Sequence, residues 1–212
     1  MAPQQPATPK QTILITGATG TLGQRIIKEL ANPNTHLILL DQNRRKLEKL
    51  EDQLNQSQAL ITLIPLDFNH LDLIEQIAEP LAARIKHLDQ VHICHGMLHE
   101  LTPTDQLSAK AWHQALNVNL HSVYHLVRLT FPFLRQSSNP SFTAYSCPIT
   151  GAYDTAYAAS KAGLQALMQG LKTEQENQKI RVEIKELPAF DSPLRRKAFP
   201  NGDPRVLEES AQ

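Results

Sequence analysis

Short apolar runs alternate with stretches of helical periodicity along almost the whole chain, and this alternation limits the fold more than any other feature. Residues 13–16 form an apolar run that ends in glycines, and Leu22, Ile26, Ile27 and Leu30 follow at helical spacing. Residues 36–41 repeat the strand, and a charged segment with Leu47, Leu50 and Leu54 on one stripe repeats the helix. A third strand is predicted over 60–67, and Leu73, Ile74, Ile77, Leu81, Ile85 and Leu88 mark a third helix, kinked by Pro80. Then come a strand over 90–94, a long helix over 108–134, a strand over 141–146, a helix over 155–178 and a sixth strand over 180–187. Strands separated by helices run parallel through right-handed crossovers, so the predicted fold class is α/β, with a doubly wound sheet of about six strands covered by helices on both faces.

With 212 residues, 41% of them hydrophobic, the chain can bury one core but not two. The expected organisation is a flexible Pro/Gln tail over 1–11 and a single domain over 12–212. Twenty-one basic and twenty-one acidic side chains cancel, which disfavours nucleic acid or an anionic membrane as partner. No apolar run approaches the roughly 20 residues of a membrane span, and the start lacks the basic-then-apolar order of a secretory signal. Cys94 and Cys147 are the only cysteines, so a reducing compartment, the cytoplasm, is expected.

The chemistry begins at Thr16-Gly17-Ala18-Thr19-Gly20-Thr21-Leu22-Gly23, where the first strand turns into the first helix. Backbone N–H groups and the helix dipole converge there on one small volume that suits a pyrophosphate. Gly17 and Gly20 allow the tight turn and close ligand approach, and Gly23 lets the helix pack on the sheet. This context makes the domain Rossmann-type and dinucleotide-binding. Asp41 ends the second strand, where a carboxylate can accept hydrogen bonds from an adenosine ribose and favour NAD; Arg44 and Arg45 could instead meet the 2′-phosphate of NADP.

Tyr157 and Lys161 stand four apart in a helical segment, so their heads share a face and the ammonium favours the phenolate of its neighbour. That suits proton transfer at a carbonyl or alcohol, although the pair alone is common by chance. His92, Cys94, His95 and His99 are the densest group of metal-ligand types, but strand period sends His92 and Cys94 to one face and His95 to the other, so no metal site is expected. His121 and His125 lie four apart on the long helix, where packing is the blander role. Trp112, Leu116, Leu120, Val123 and Val127 form an apolar stripe that reads as core or dimer face.

The glycine turn, Asp67 after the third strand, Asn119 in the long helix and Tyr157-Ala158-Ala159-Ser160-Lys161 together resemble the short-chain dehydrogenase/reductase family in order and spacing. The resemblance covers about residues 12–200. The stretches 112–119, 157–161 and 196–200 are similar to bacterial YciK-type oxidoreductases. It implies that Tyr157 is the acid/base, that Lys161 contacts the nicotinamide ribose and eases the tyrosine's ionisation, and that Asn119 supports a proton relay through water. It also implies that Asp67 reaches the adenine ring, that a serine orients the substrate carbonyl, and that the chain forms a homodimer or homotetramer through the long helix and the Tyr157 helix. Ser146 and Cys147 compete for the serine's place, with Ser146 favoured because a thiol donates weakly.

Three departures stand beside the matches. Ile93-Cys94-His95-Gly96 replaces the family's Asn-Asn-Ala-Gly, removing an asparagine that braces the sheet centre and active site, while Gly96 keeps its place beside the cofactor. Pro188-Ala189 replaces the family's Pro-Gly next to the nicotinamide. After Pro188 no seventh strand is legible, so the C-terminal part reads as shortened and the sixth strand as an edge to be covered by a partner or the tail. The expected activity is hydride transfer between a nicotinamide cofactor and a small carbonyl or alcohol substrate. The alternative is a dinucleotide-binding protein with little or no turnover.

Overall fold

The structure, a computed structural model, describes residues 10–147, 151–202 and 206. Most of the expected tail (1–9) and the end of the expected domain (203–205 and 207–212) lie outside them. The amides of Lys10 and Gln11 both donate to the Asn34 carbonyl as the chain enters the sheet.

Six parallel strands are ordered β3-β2-β1-β4-β5-β6, as β1 (Gln11–Thr16), β2 (Thr35–Asp41), β3 (Leu60–Pro65), β4 (Gln90–Ile93), β5 (Ser141–Ser146) and β6 (Arg181–Glu186). The strand order reverses between β1 and β4, which opens a crevice at their C-terminal ends. Helices α1 (Thr21–Leu30) and α2 (Arg44–Leu54) cover one face with Ile13, Ile15, Leu37 and Leu39. The other face, through Leu14, Ile38, Val91, Phe142 and Val182, packs against the remaining helices. β1 and β2 are apolar on both faces because both are covered.

Two expected helices are broken. The one drawn through 73–88 is two short helices, α3 (Leu71–Gln76) and α4 (Ala78–Ala82). Pro80 has no N–H to give the Gln76 carbonyl four residues earlier, and the first helix stops at Gln76. The one drawn through 108–134 is α5 (Ala109–Leu116), a π turn (Asn117–His121) and α6 (Ser122–Leu134). Helix α7 (Thr155–Gln175) follows β5, and α8 (Pro193–Ala198) follows β6.

The expected stripe on the long helix turns largely inward: Val123 and Val127 are in the core and Leu120 packs against it. Leu120 comes so close to α7 that a Cβ on Gly163 would lie 2.7 Å from its Cδ2. Strand β6 pairs only with β5, and no strand follows it among the described residues. Its Val182 and Ile184 pack into the core, while Arg181, Glu183 and Lys185 alternate with them and form ion pairs at 3.3 and 3.9 Å. Such a charged edge discourages strand addition. No helix of the described residues is long and apolar enough to cross a membrane.

Candidate active site

At the C-terminal ends of the strands lies a cavity of about 330 Å³, with Gly17, Thr19, Gly20, Thr21 and Leu22 at one end and Ser146, Cys147, Tyr157 and Lys161 at the other. The glycine end is built by close approach. Gly17 has φ +62°, and a Cβ there would lie 2.7 Å from the His95 backbone. A Cβ on Gly23 would lie 2.3 Å from the Gly17 carbonyl oxygen, so only glycine lets α1 rest on the turn; Gly23 thus sits beneath the cavity without lining it. Gly20 caps α1 with no side-chain acceptor, which leaves the first amides of the helix available to an anion.

Asp41 is tied into this turn. Its Oδ2 accepts from the Thr19 amide at 3.1 Å and hydroxyl at 2.9 Å, and its Oδ1 accepts from the Asn43 amide at 3.2 Å. It lines the cavity with Gln42 and Lys46. Arg44 turns away to pair with Glu48 at 2.9 Å, and neither Arg44 nor Arg45 is among the lining residues. Asp67 lines the cavity and accepts from the Asn69 amide at 2.9 Å.

At the far end α7 presents Tyr157 and Lys161 together, with the ammonium 5.7 Å from the phenol ring centre. Lys161 Nζ lies 3.5 Å from the Tyr145 carbonyl oxygen. Burial holds the Lys161 pKa down, to about 8, against an opposing pull from Cys147 and Cys94. Asn119 sits in the π turn, buried, just behind the cavity. Its Oδ1 accepts from the Met97 amide at 2.7 Å, and its Nδ2 donates to the Met97 carbonyl at 2.8 Å and the Ser160 hydroxyl at 2.9 Å. Both amide hydrogens of the side chain are used, so it clamps the loop after β4 to α7. Between Asn119 and Lys161 lies Gly96, where a Cβ would stand 3.4 Å from Asn119 Oδ1 and 3.8 Å from Lys161 Nζ.

Ser146 and Cys147 both line the cavity. Cys147 Sγ accepts from the Arg195 guanidinium at 3.0 Å, whereas the Ser146 hydroxyl makes no hydrogen bond among the described residues. Pro188 is not a lining residue; its neighbour Leu187 is, with its amide bonded to the Ser146 carbonyl at 2.8 Å.

Of the histidines singled out in the sequence, His92, His95, His121 and His125 bond protein groups, whereas His99 Nε2 is buried without a hydrogen-bond partner among the described residues. His92 bonds Tyr145 at 3.1 Å and Gln90 at 3.0 Å, and burial lowers its pKa to about 4. His95, on the other face, bonds Thr16 at 2.7 Å and Ser122 at 2.8 Å. His121 bonds Asn117 and His125 bonds Glu75, each at 3.1 Å. Cys94 and Cys147 are free thiols.

Several lining residues were not legible in the sequence. Lys46 lies in the first turn of α2, just beyond Asp41 and Gln42, and its amide is capped by Asn43. Phe68 directly follows Asp67. Phe190, Pro193 and Leu194 come from the segment after β6, whose path no periodicity reveals. In Arg195-Arg196-Lys197 only Arg195 is buried; the signal was Ala198 three residues on, which packs with Leu98 and Tyr157.

The sequence profile described as short chain dehydrogenase matches residues 11–202. The uncharacterized oxidoreductase YciK of Escherichia coli K12 is 28% identical over 215 aligned positions, spanning 99% of this chain and 85% of that protein. The 0.95 Å structure of the E. coli oxidoreductase yciK is similar at a TM-score of 0.83 and 27% identity, covering 97% of this chain and 86% of that one. A short chain dehydrogenase structure from E. coli CFT073, complexed with NADPH, gives a TM-score of 0.83 at 27% identity, covering 95% and 86%.

Proposed function

Because the chain belongs to the short-chain dehydrogenase family, we propose that it is an oxidoreductase moving a hydride between a nicotinamide dinucleotide and a small carbonyl or alcohol substrate. The observation that carries this reading is the single cavity joining an uncapped, glycine-built helix start to Tyr157 and Lys161. The residues present fit a dinucleotide. The turn at Gly17, Thr19, Gly20, Thr21 and Leu22 would hold the pyrophosphate, and Asp41 and Asp67 would hold the adenosine end. Gly96, Lys161 and the segment at Pro188 would flank the nicotinamide end, where a Gly96 Cβ would fill the space. When bound, the cofactor supplies or takes the hydride.

The chain's own groups handle the proton. Tyr157 gives its phenolic proton to the developing alkoxide in reduction and takes it back in oxidation. Lys161, charged below about pH 8, favours the phenolate left behind and bonds the ribose hydroxyls. The Ser146 hydroxyl orients the carbonyl; Cys147 is the weaker candidate because its sulfur already accepts from Arg195. Asn119 holds the loop after β4 at the right height for these groups. Met97, Leu187, Phe190 and Leu194 give the substrate end an apolar wall.

Asp41 supports NAD, since a carboxylate repels a 2′-phosphate and Arg44 is engaged elsewhere. The NADPH held by the E. coli CFT073 neighbour and the presence of Lys46 in the cavity support NADP as the second possibility. The reading extends to a homodimer or homotetramer packed through the long helix and α7. It also places the protein in the cytoplasm, where free Cys94 and Cys147 stay reduced.

The deciding experiment is a panel of small ketones, aldehydes and secondary alcohols followed by cofactor absorbance, with wild type and Tyr157→Phe. Turnover should fall by about a hundredfold or more in the variant while NADH affinity stays within about threefold, because the phenol acts at the substrate. Turnover that survives the substitution refutes the mechanism. Binding of NADH without turnover of any compound favours a binding protein instead.

A further inference from the structure

We propose that His95 is a positioning residue: as the neutral Nε2–H tautomer, its buried ring ties the glycine turn after β1 to the π turn that carries Asn119. Its functional weight rests on the dinucleotide-binding reading above; its tautomer does not.

The ring lies flat on Phe68, with centroids 3.9 Å apart and planes 10° apart, and is almost wholly buried. Nε2 is 2.8 Å from the Ser122 hydroxyl oxygen, and that hydroxyl's single proton goes to the Val118 carbonyl at 2.7 Å. With that proton donated to the carbonyl, the shorter of the two contacts, the Ser122 oxygen is the acceptor and Nε2 carries the hydrogen. Nδ1 is then a bare acceptor, and the Thr16 hydroxyl, 2.7 Å away, donates to it. The other acceptor near that hydroxyl, the His92 carbonyl, is farther at 3.3 Å. The Thr16 oxygen in turn accepts from the Cys94 amide at 3.1 Å. Every group has one role. Burial and the nearby Lys161 ammonium both oppose an imidazolium here, holding the pKa near 3.

The two ends of this tie are functional places. Thr16 directly precedes Gly17, which already rests on the His95 backbone. Ser122 directly follows the π turn, and its other partner, Val118, is next to Asn119. Asn119 grips both backbone groups of Met97, two residues after His95. The loop after β4 is thus fastened to the π turn at two points and to the cofactor turn at two more. The resemblance assigns a brace at the end of β4 to an asparagine that this chain lacks, and the histidine supplies one by a different route.

His95→Phe cuts both hydrogen bonds yet keeps the stack and most of the volume, and it strands no hydroxyl, since Ser122 retains Val118 and Thr16 can turn to His92. Thr16→Val and Ser122→Ala cut the same tie from outside, which keeps the test open if the first variant does not fold. NADH affinity, read by fluorescence titration, should weaken about tenfold in His95→Phe and in Thr16→Val, as for one lost hydrogen bond in a buried network. In the His95→Phe background, Ser122→Ala should have little further effect on NADH affinity, because the tie is already cut, whereas Thr16→Val also removes the acceptor of the Cys94 amide. Three variants that lower thermal stability additively but leave NADH affinity unchanged would reduce His95 to ordinary core and overturn the proposal. Independently of any cofactor, ¹⁵N-histidine NMR should show one Nε2–H signal, absent from His95→Phe, that does not shift between pH 5 and 8. A signal that titrates in that range, or an Nδ1–H tautomer, overturns it. Wild type that binds neither NADH nor NADPH while showing the fixed tautomer refutes the dinucleotide reading and leaves the tie standing.

Discussion

Replacing Gly96 by alanine should separate folding from cofactor binding. The added methyl would meet Asn119 Oδ1 at 3.4 Å and Lys161 Nζ at 3.8 Å, both ordinary van der Waals distances. Gly96 is also not among the glycines with positive φ, so alanine adopts its backbone conformation without strain. The folded state loses nothing, and the unfolded chain loses freedom, a gain of about 0.4–1 kcal/mol. For a domain of this size that raises Tm by roughly 1–4 °C. The same methyl stands in the cavity wall beside Lys161, where the nicotinamide end would lie. Overpacking of that kind costs about 1–3 kcal/mol, which weakens binding roughly 5- to 150-fold. Gly170→Ala is the control, because nothing lies within 4 Å of its Cβ and α7 gains from alanine. Differential scanning fluorimetry and NADH titration of the two variants decide it. A Gly96→Ala protein with lowered Tm, or with wild-type NADH affinity, would refute the reasoning.

Two further outcomes follow from the same site. A ribose held by Lys161 would prefer its ammonium, so binding would raise that lysine's pKa above its free value of about 8; NADH affinity should be level well below pH 8 and fall as pH rises through it. Titration of Lys161→Met across pH 6–9.5 should give a weaker and flat profile, and a wild-type profile without the fall counts against the assignment. Asp41→Asn keeps an acceptor for Thr19 but removes the charge, and should raise NADPH affinity relative to NADH by about tenfold, as expected for removing a like-charge contact. Calorimetry with both cofactors measures the ratio, and an unchanged ratio means Asp41 does not face the 2′ position.

The alternation of strands and helices, the glycine turn and the Tyr157–Lys161 pair were legible because each rests on a local rule: apolar period, φ demand at Gly17, or helical spacing. The failures share a different cause. Pro80 signalled a kink, but whether a helix bends or stops depends on what α3 and α4 can bury, and their Ile74 and Leu81 fill the core from two separate turns. Asn119 was legible from a motif, but the partners of its side-chain amide, Met97 and Ser160, 22 and 41 positions away, were not. His95 looked like one member of a poor metal set; its role depends on Thr16 and Ser122, 79 and 27 positions distant. That the Cys147 sulfur accepts from Arg195, 48 positions away, was equally invisible in the sequence. Long-range polar pairing is what a single sequence conceals.

The π turn also has a bearing on how this chain tolerates length change. An α-helix advances about 100° per residue, and a π turn accommodates one residue more than the helix around it needs. The segment from 109 to 134 is therefore two helices out of phase by about one residue's rotation, so no single helical wheel describes it. Deleting one position anywhere from 117 to 121 would restore a regular helix, and everything upstream would rotate by that angle relative to α6. Trp112 and Ala115 would leave the faces they now occupy. For this stretch the shorter sequence, though it makes the straighter helix, is the mispacked one.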